Sequence, residues 1–189
     1  MDSAIAILPD ETTLVAQAKV EPAAFAAIYD HYFSRVYNYA RYRLADAQSA
    51  DDVTAQIFER TLANIGHYQP ERAPFAAWLF AIARNAVSDH LRAERRRRWL
   101  SLEAFRGEPD KESPPEQVAI QNESHAALLA ATTCLSDRER DLIALKFAGG
   151  LTNRHIAELS GLSESNVAVS LFRAMRKLRA ELERRGVKP

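Results

Sequence analysis

Thr152-Asn-Arg-His-Ile-Ala-Glu-Leu-Ser-Gly-Leu-Ser-Glu-Ser-Asn-Val-Ala-Val-Ser-Leu171 is the stretch whose reading decides the fold. Thr152 suits the N-cap of a short helix over 153–160, because its hydroxyl can accept from a first-turn N–H. Gly161 supplies the positive φ that a tight turn between helices demands. Ser163 caps a long helix over 164–185. Ala157 lets the two helices approach closely, and Ile156, Leu162, Val167 and Leu171 fuse them into one small core. This is helix-turn-helix spacing, and the second helix of such a pair offers its outer face to the DNA major groove. That face holds Ser163, Glu164, Ser165, Asn166, Val169, Ser170, Phe172, Arg173, Arg176 and Lys177. Its polar start suits base edges and its basic end suits phosphates. The bland alternative is a helical hairpin with solvated arginines. Caps, glycine, apolar positions and basic tail agree on the DNA-binding reading.

Working back toward the N-terminus, Ser136-Asp-Arg-Glu139 is a capping box. It starts a helix with Leu142, Ile143, Leu145 and Phe147, closed by Gly149-Gly150. A further helix is expected over 116–133, with Val118, Ala119, Ala126, Leu128 and Leu129 apolar. Residues 99–115 carry Gly107, Pro109, Pro114, Pro115, Glu108, Asp110 and Glu112, which break helix and add negative charge. They read as an acidic linker ahead of a second domain over 116–189.

The first domain spans 22–98. Over 22–45, Phe25, Ile28, Tyr29, Tyr32, Phe33, Val36, Tyr37, Ala40 and Leu44 recur at helical spacing, with Pro22 in the first turn. Ser49-Ala-Asp-Asp52 reads as a variant capping box for a second helix, with Val53, Ile57, Phe58, Leu62 and Ile65 inward. Pro74 opens a third helix that lines up Phe75, Trp78, Leu79, Ile82, Ala83, Ala86, Val87 and Leu91 and runs into Arg95–Arg98. Residues 1–21 are an N-terminal extension. No convincing strand appears, so the expected fold is all-α: two small helical domains joined by a flexible acidic linker.

The chain has 189 residues, 25 Lys+Arg against 25 Asp+Glu, and 47% hydrophobic residues, which excludes a disordered chain. The balanced charge hides a pattern. Residues 84–98 carry six arginines against Asp89 and Glu94, and residues 171–188 carry seven bases against Glu181 and Glu183. Residues 99–127 between them hold six acids against Arg106 and Lys111. Two basic blocks around an acidic stretch point to two polyanion-facing surfaces. The single cysteine, Cys134, excludes an internal disulfide and a Cys-based zinc site; a buried, inert thiol is the simplest reading. No basic n-region opens the chain and no run is long enough to span a membrane, so a cytoplasmic location without membrane insertion is expected.

The segment 74–98 carries a second signal. Phe75, Trp78 and Phe80 precede Arg84, Asn85, His90, Arg92 and the arginine run. Base stacking on aromatics, with cations along the backbone, is how single-stranded nucleic acid is held. Core packing is the competing explanation for the aromatics; it does not account for the arginine run.

Together, "PFAAWLFAIARNAVSDHLRAERRRR" at 74–98, the acidic linker, and "LSDRERDLIALKFAGGLTNRHIAELSGLSESNVAVSLFRAMRKLRAEL" at 135–182 resemble a bacterial RNA polymerase sigma factor. The resemblance is to the extracytoplasmic-function (ECF) group of the sigma-70 family and covers residues 22–185. Trp78–Asn85 is close to the family's region 2 signature, and Leu135–Leu178 matches region 4. The resemblance implies that region 2 binds the clamp helices of core RNA polymerase through Asp51, Asp52, Gln56 and Phe58. It implies that Arg72, Trp78, Arg84, Asn85 and Arg92 meet the −10 element and trap melted bases. It further implies that the recognition helix reads the −35 element, that region 4 meets the polymerase flap, and that an anti-sigma factor is a partner. No cofactor is implied. Two departures stand out: Val53-Thr54-Ala55-Gln56 where the family often has Leu-Val-Gln-Glu, and Ala168-Val169-Ser170 where it often has Lys-Ser-Arg.

Two rival classes are weighed against this. A conventional helix-turn-helix regulator would bind duplex DNA without polymerase, but has no need of the Trp78–Arg98 segment. A metal-dependent hydrolase would draw on Asp46, Asp51, Asp52, Asp89, His67 and His90, yet no paired Glu-x-x-His or His-x-x-x-His motif occurs. No phosphate loop or nucleophile context supports an enzyme either.

Overall fold

The computed structural model describes residues 11–44, 46–104 and 127–186. They form α1 (Glu11–Ala18), α2 (Phe25–Arg43), α3 (Ala47–Asn64), α4 (Phe75–Ala104), α5 over 127–131, α6 (Asp137–Phe147), α7 (Asn153–Ser160) and α8 (Glu164–Arg184), with no strand among the described residues. The architecture is all-α, with a helical unit before residue 105 and another after residue 126. The expected positions of Val118, Ala119 and Ala126 lie outside the described residues.

In the first unit α2 packs against α3 and α4, and α3 against α4. Burial follows the sequence period: Phe25, Ile28, Tyr32, Val36, Tyr39 and Ala40 of α2 face Ile57 and Phe58 of α3 and Phe75, Leu79, Phe80, Ala83 and Val87 of α4. Two local expectations are corrected. Asp46, not Ser49, is the N-cap of α3, and its carboxylate accepts from the Ser49 N–H at 2.7 Å. Helix α3 therefore begins about a turn early, and Ser49 donates where it was expected to accept. Leu62 is exposed rather than inward.

Residues 11–18 lie in the expected extension but are helical and packed. Val15 and Ala18 are buried against α2, Glu11 accepts from the Tyr32 hydroxyl, and Lys19 Nζ donates to the Tyr68 carbonyl at 2.8 Å. The other end also differs. Helix α4 runs through Arg95–Arg98 to Ala104, past the expected start of the linker at 99. Without Gly or Pro between 75 and 104, nothing local stops it.

The second unit follows its expected caps closely. Ser136 and Glu139 form both bonds of the capping box. Thr152 accepts from His155 N, Ser163 accepts from Asn166 N, and Gly161 adopts φ 70°. Val167, Leu171, Ala174 and Leu178 of α8 are buried against α6 and α7. Cys134, expected to be buried, is exposed at the end of the 3-10 turn Thr132–Cys134.

The two units share one continuous core, with α2 lying against α6 and α4 touching α7. Gly149 sits at this junction. A Cβ there would come within 2.6 Å of the Leu145 carbonyl oxygen and 3.2 Å of the Phe80 ring, so only glycine allows the approach.

Candidate nucleic-acid interface

Helix α8, expected to be the recognition helix, exposes most of the residues read as its outer face. With Val167, Leu171, Ala174 and Leu178 turned inward, helical periodicity directs Ser165, Val169, Phe172 and Arg176 outward. Ser163, Glu164, Asn166 and Arg173 are also exposed, and Ser170 is half-buried. Phe172 stands 64% exposed, and Val169 and Met175 on the same helix are also exposed. Lys177 departs from expectation. Its ammonium bridges Glu139 at 2.7 and 3.0 Å, tying α8 to the capping box of α6. That Lys177 bond, with the Ser136 groups, holds the Glu139 carboxyl below its ordinary range. Lys177 is still exposed despite this pair, as are Arg173 and Arg176.

The residues expected at the −10 element divide in three. Arg72 and Asn85 are exposed. Arg92 is exposed but spends its guanidinium on Ser88 O and Asp89. Trp78 is half-buried, its ring 5.4 Å from Tyr68 and 5.5 Å from Phe75, with Lys19 over the opposite partner Tyr68 at 5.6 Å. Phe75 and Phe80 are fully buried, so only Trp78 of that trio can offer an edge to a base.

Arg84 is the third case. Its Nε donates to Asp141 at 2.8 Å and Nη1 to the Leu159 carbonyl at 2.9 Å. Asp141 is buried and also accepts from the Tyr39 hydroxyl at 2.8 Å, with Arg43 Nε at 3.3 Å. Burial, then the Asp141 charge, pushes the Tyr39 phenol up. Arg43 reaches the Asp137 carbonyl at 2.7 Å, Arg95 pairs with the Asp137 carboxylate, and Arg35 donates to Gly149 O. These contacts were missed from sequence. The available signal was Asp141 itself, an acid four residues before Leu145 on the inward face of α6.

Asp51, Asp52 and Gln56, expected at the clamp helices, are exposed on α3. Phe58, expected both inward on this helix and at the clamp helices, is turned inward and only 4% exposed. Its ring packs on Phe25 at 6.3 Å, Tyr29 at 4.6 Å and Phe33 at 6.4 Å, and so supports the exposed Tyr29 and Phe33 from beneath. Among the described residues no three His, Cys, Asp or Glu side chains gather where a metal ion could sit, so the hydrolase candidates are not brought together. No helix among them is long and apolar enough to cross a membrane.

Fold and surface thus define a helical protein with a helix-turn-helix and a second basic, aromatic helix. Comparison with known proteins makes the class specific. The model of Sigma-70 region 2 matches residues 28–97, and that of Sigma-70 region 4 matches residues 125–178. The ECF RNA polymerase sigma factor BldN of Streptomyces coelicolor is 34% identical over 158 residues, covering 84% of this chain and 60% of BldN. The ECF RNA polymerase sigma factor SigL of Mycobacterium tuberculosis is 29% identical over 170 residues, covering 90% of this chain and 95% of SigL. The sigma factor RpoE of Bartonella quintana, solved with the anti-sigma factor NepR, has the same fold: TM-score 0.66 at 19% identity, covering 84% of this chain and 96% of that one. The chain belongs to the sigma-70 family, in its ECF group.

Proposed function

We propose that this chain binds core RNA polymerase and directs it to promoters, with no enzymatic step of its own, working in the cytoplasm under the control of an anti-sigma factor. The observation that carries the reading is the order of two family regions in one chain, region 2 over residues 28–97 followed by region 4 over residues 125–178. In this reading Asp51, Asp52 and Gln56 on α3 meet the clamp helices, together with the exposed Tyr29 and Phe33 that pack on Phe58 of the same helix. Arg72, Trp78 and Asn85, joined by Arg84 and Arg92 once released from their partners, engage the −10 element and its melted strand. Flipped bases need a hydrogen-bonding edge and a stacking wall, and Asn85 and Trp78 supply these two chemistries. Ser163, Glu164, Ser165, Asn166, Val169, Ser170 and Phe172 face the −35 base edges, and Arg173, Arg176 and Lys177 face its phosphates. Region 4 would also meet the polymerase flap.

Reconstitution tests the reading. The purified chain, mixed with bacterial core RNA polymerase, is expected to co-elute and to give start-site-specific transcripts on DNA from its own genome. Footprinting of duplex DNA by the chain alone, without co-elution, would make it a conventional regulator instead.

A further inference from the structure

In this structure a residue expected at the −10 element touches the reader of the −35 element. Arg84 Nη1 lies 2.9 Å from the Leu159 carbonyl, one turn ahead of the recognition helix. Two promoter elements about 25 base pairs apart lie about 85 Å apart along B-DNA, at ~3.4 Å per pair. One chain cannot hold Arg84 on Leu159 and serve both elements. The connection allows the change: the 22 residues from 105 to 126 span up to ~70–80 Å when extended.

We propose that the docked arrangement is a self-inhibited state and that Asp141 is its latch. Asp141 is a buried carboxylate of the second unit, and its partners Tyr39, Arg43 and Arg84 all belong to the first. Release must separate a buried charge from two arginines and a phenol at once, and such pairs serve best as switches between states. The latch consumes Arg84, so docking and promoter engagement compete for one guanidinium. Arg35 on Gly149 O, Arg43 on Asp137 O and the Arg95–Asp137 pair hold the rest of the seam. Opening returns all four arginines to the surface of the first unit, where its positive charge is wanted for nucleic acid. This inference rests on the promoter reading above, because competition requires Arg84 to face DNA.

The test uses the full chain, spin-labelled at the native exposed Cys134 and at Ala63→Cys on the exposed side of α3. Asp141→Asn keeps the size and an acceptor for Tyr39 but removes the charge. Asp137→Ala removes the exposed Arg95 pair across the seam, with a 3.9 Å contact to Arg140 inside α6, leaves the buried Asp141 cluster intact, and guards against misfolding of the first variant. The wild type is expected to give a single short distance. Asp141→Asn is expected to broaden and lengthen it and to raise apparent affinity for core polymerase about tenfold, because affinity scales with the open fraction. Asp137→Ala should do the same by about two- to threefold, the scale of an exposed pair. Unchanged distances in folded variants would overturn the latch. Longer distances without a gain in core affinity or promoter melting would overturn the competition. If the wild type and both variants fail to bind core, the promoter reading itself falls, whatever the distances show.

Discussion

The two helical units differ in how they divide labour among their residues. In the second unit, Lys177 on Glu139 apart, the side chains that build it and those that face outward are separate sets. Val167, Leu171, Ala174 and Leu178 are buried, while Ser165, Val169, Phe172 and Arg176 are exposed. In the first unit the sets overlap. Trp78 is half core and half candidate base wall, Phe58 is core beneath a candidate docking patch, and Arg84 is both candidate DNA contact and ion-pair partner of Asp141. A separable surface can diverge without cost to folding; an overlapping one cannot.

Substitutions can break or sharpen that contrast. The largest effect is expected at Phe80→Ala. The ring is fully buried, lies edge-on to Tyr39 at 5.7 Å and abuts Gly149 of the other unit, so its loss should cost about 3–5 kcal/mol. Urea unfolding followed by circular dichroism would measure this, and a loss under ~1 kcal/mol would mean the junction is not packed as described. Trp78→Ala should lower both thermal stability and permanganate reactivity at the −10 bubble, whereas the exposed Asn85→Ala should lower only the second. If Asn85→Ala melts as early as Trp78→Ala, the separation between them is wrong.

Helix caps come next in size. Asp46→Ala and Ser163→Ala should each cost about 1 kcal/mol, and Ser49→Ala much less, since Ser49 contributes its backbone N–H to the cap. Equal losses at 46 and 49 would restore the cap expected from sequence. Acid offers another comparison. Glu139 has its carboxyl depressed mainly by Lys177, so the stability it contributes is full above the ordinary carboxylate range and disappears as pH falls through its lowered value. Glu139→Gln should flatten that acid limb. The smallest stability effect, near zero, is expected for Arg173→Ala and Arg176→Ala. Both should instead reduce the salt dependence of −35 binding by about 0.9 in log–log slope per lost contact.

The second unit was almost fully legible because its determinants are local. A cap, a glycine and an apolar repeat act within one or two turns, and Thr152, Ser136, Ser163 and Gly161 all behave as their types dictate. The first unit was legible in its helices and less so in its site. Phe58 and Trp78 are both aromatic residues at helical spacing, and spacing does not tell a residue just beneath the surface from one at it. The cap of α3 was misassigned because Asp46 and Ser49 are both good cap residues three apart. The junction was illegible for a stronger reason. Tyr39 and Asp141 are 102 residues apart, and no local rule brings a phenol to a distant carboxylate. The residue that hinted at it was an acid on an apolar face.

The short helix α1 has a practical consequence for dissecting the molecule. Lys19 reaches the Tyr68 carbonyl and ring, and Tyr68 in turn packs on Phe75 and Trp78. A fragment cut at Pro22, the start of the first domain expected from sequence, loses the brace behind the tryptophan edge while keeping every residue named at the −10 face. Such a fragment would be an unsafe reference for measuring single-strand affinity. Its weakness would be read as a property of the face when it belongs to the missing scaffold.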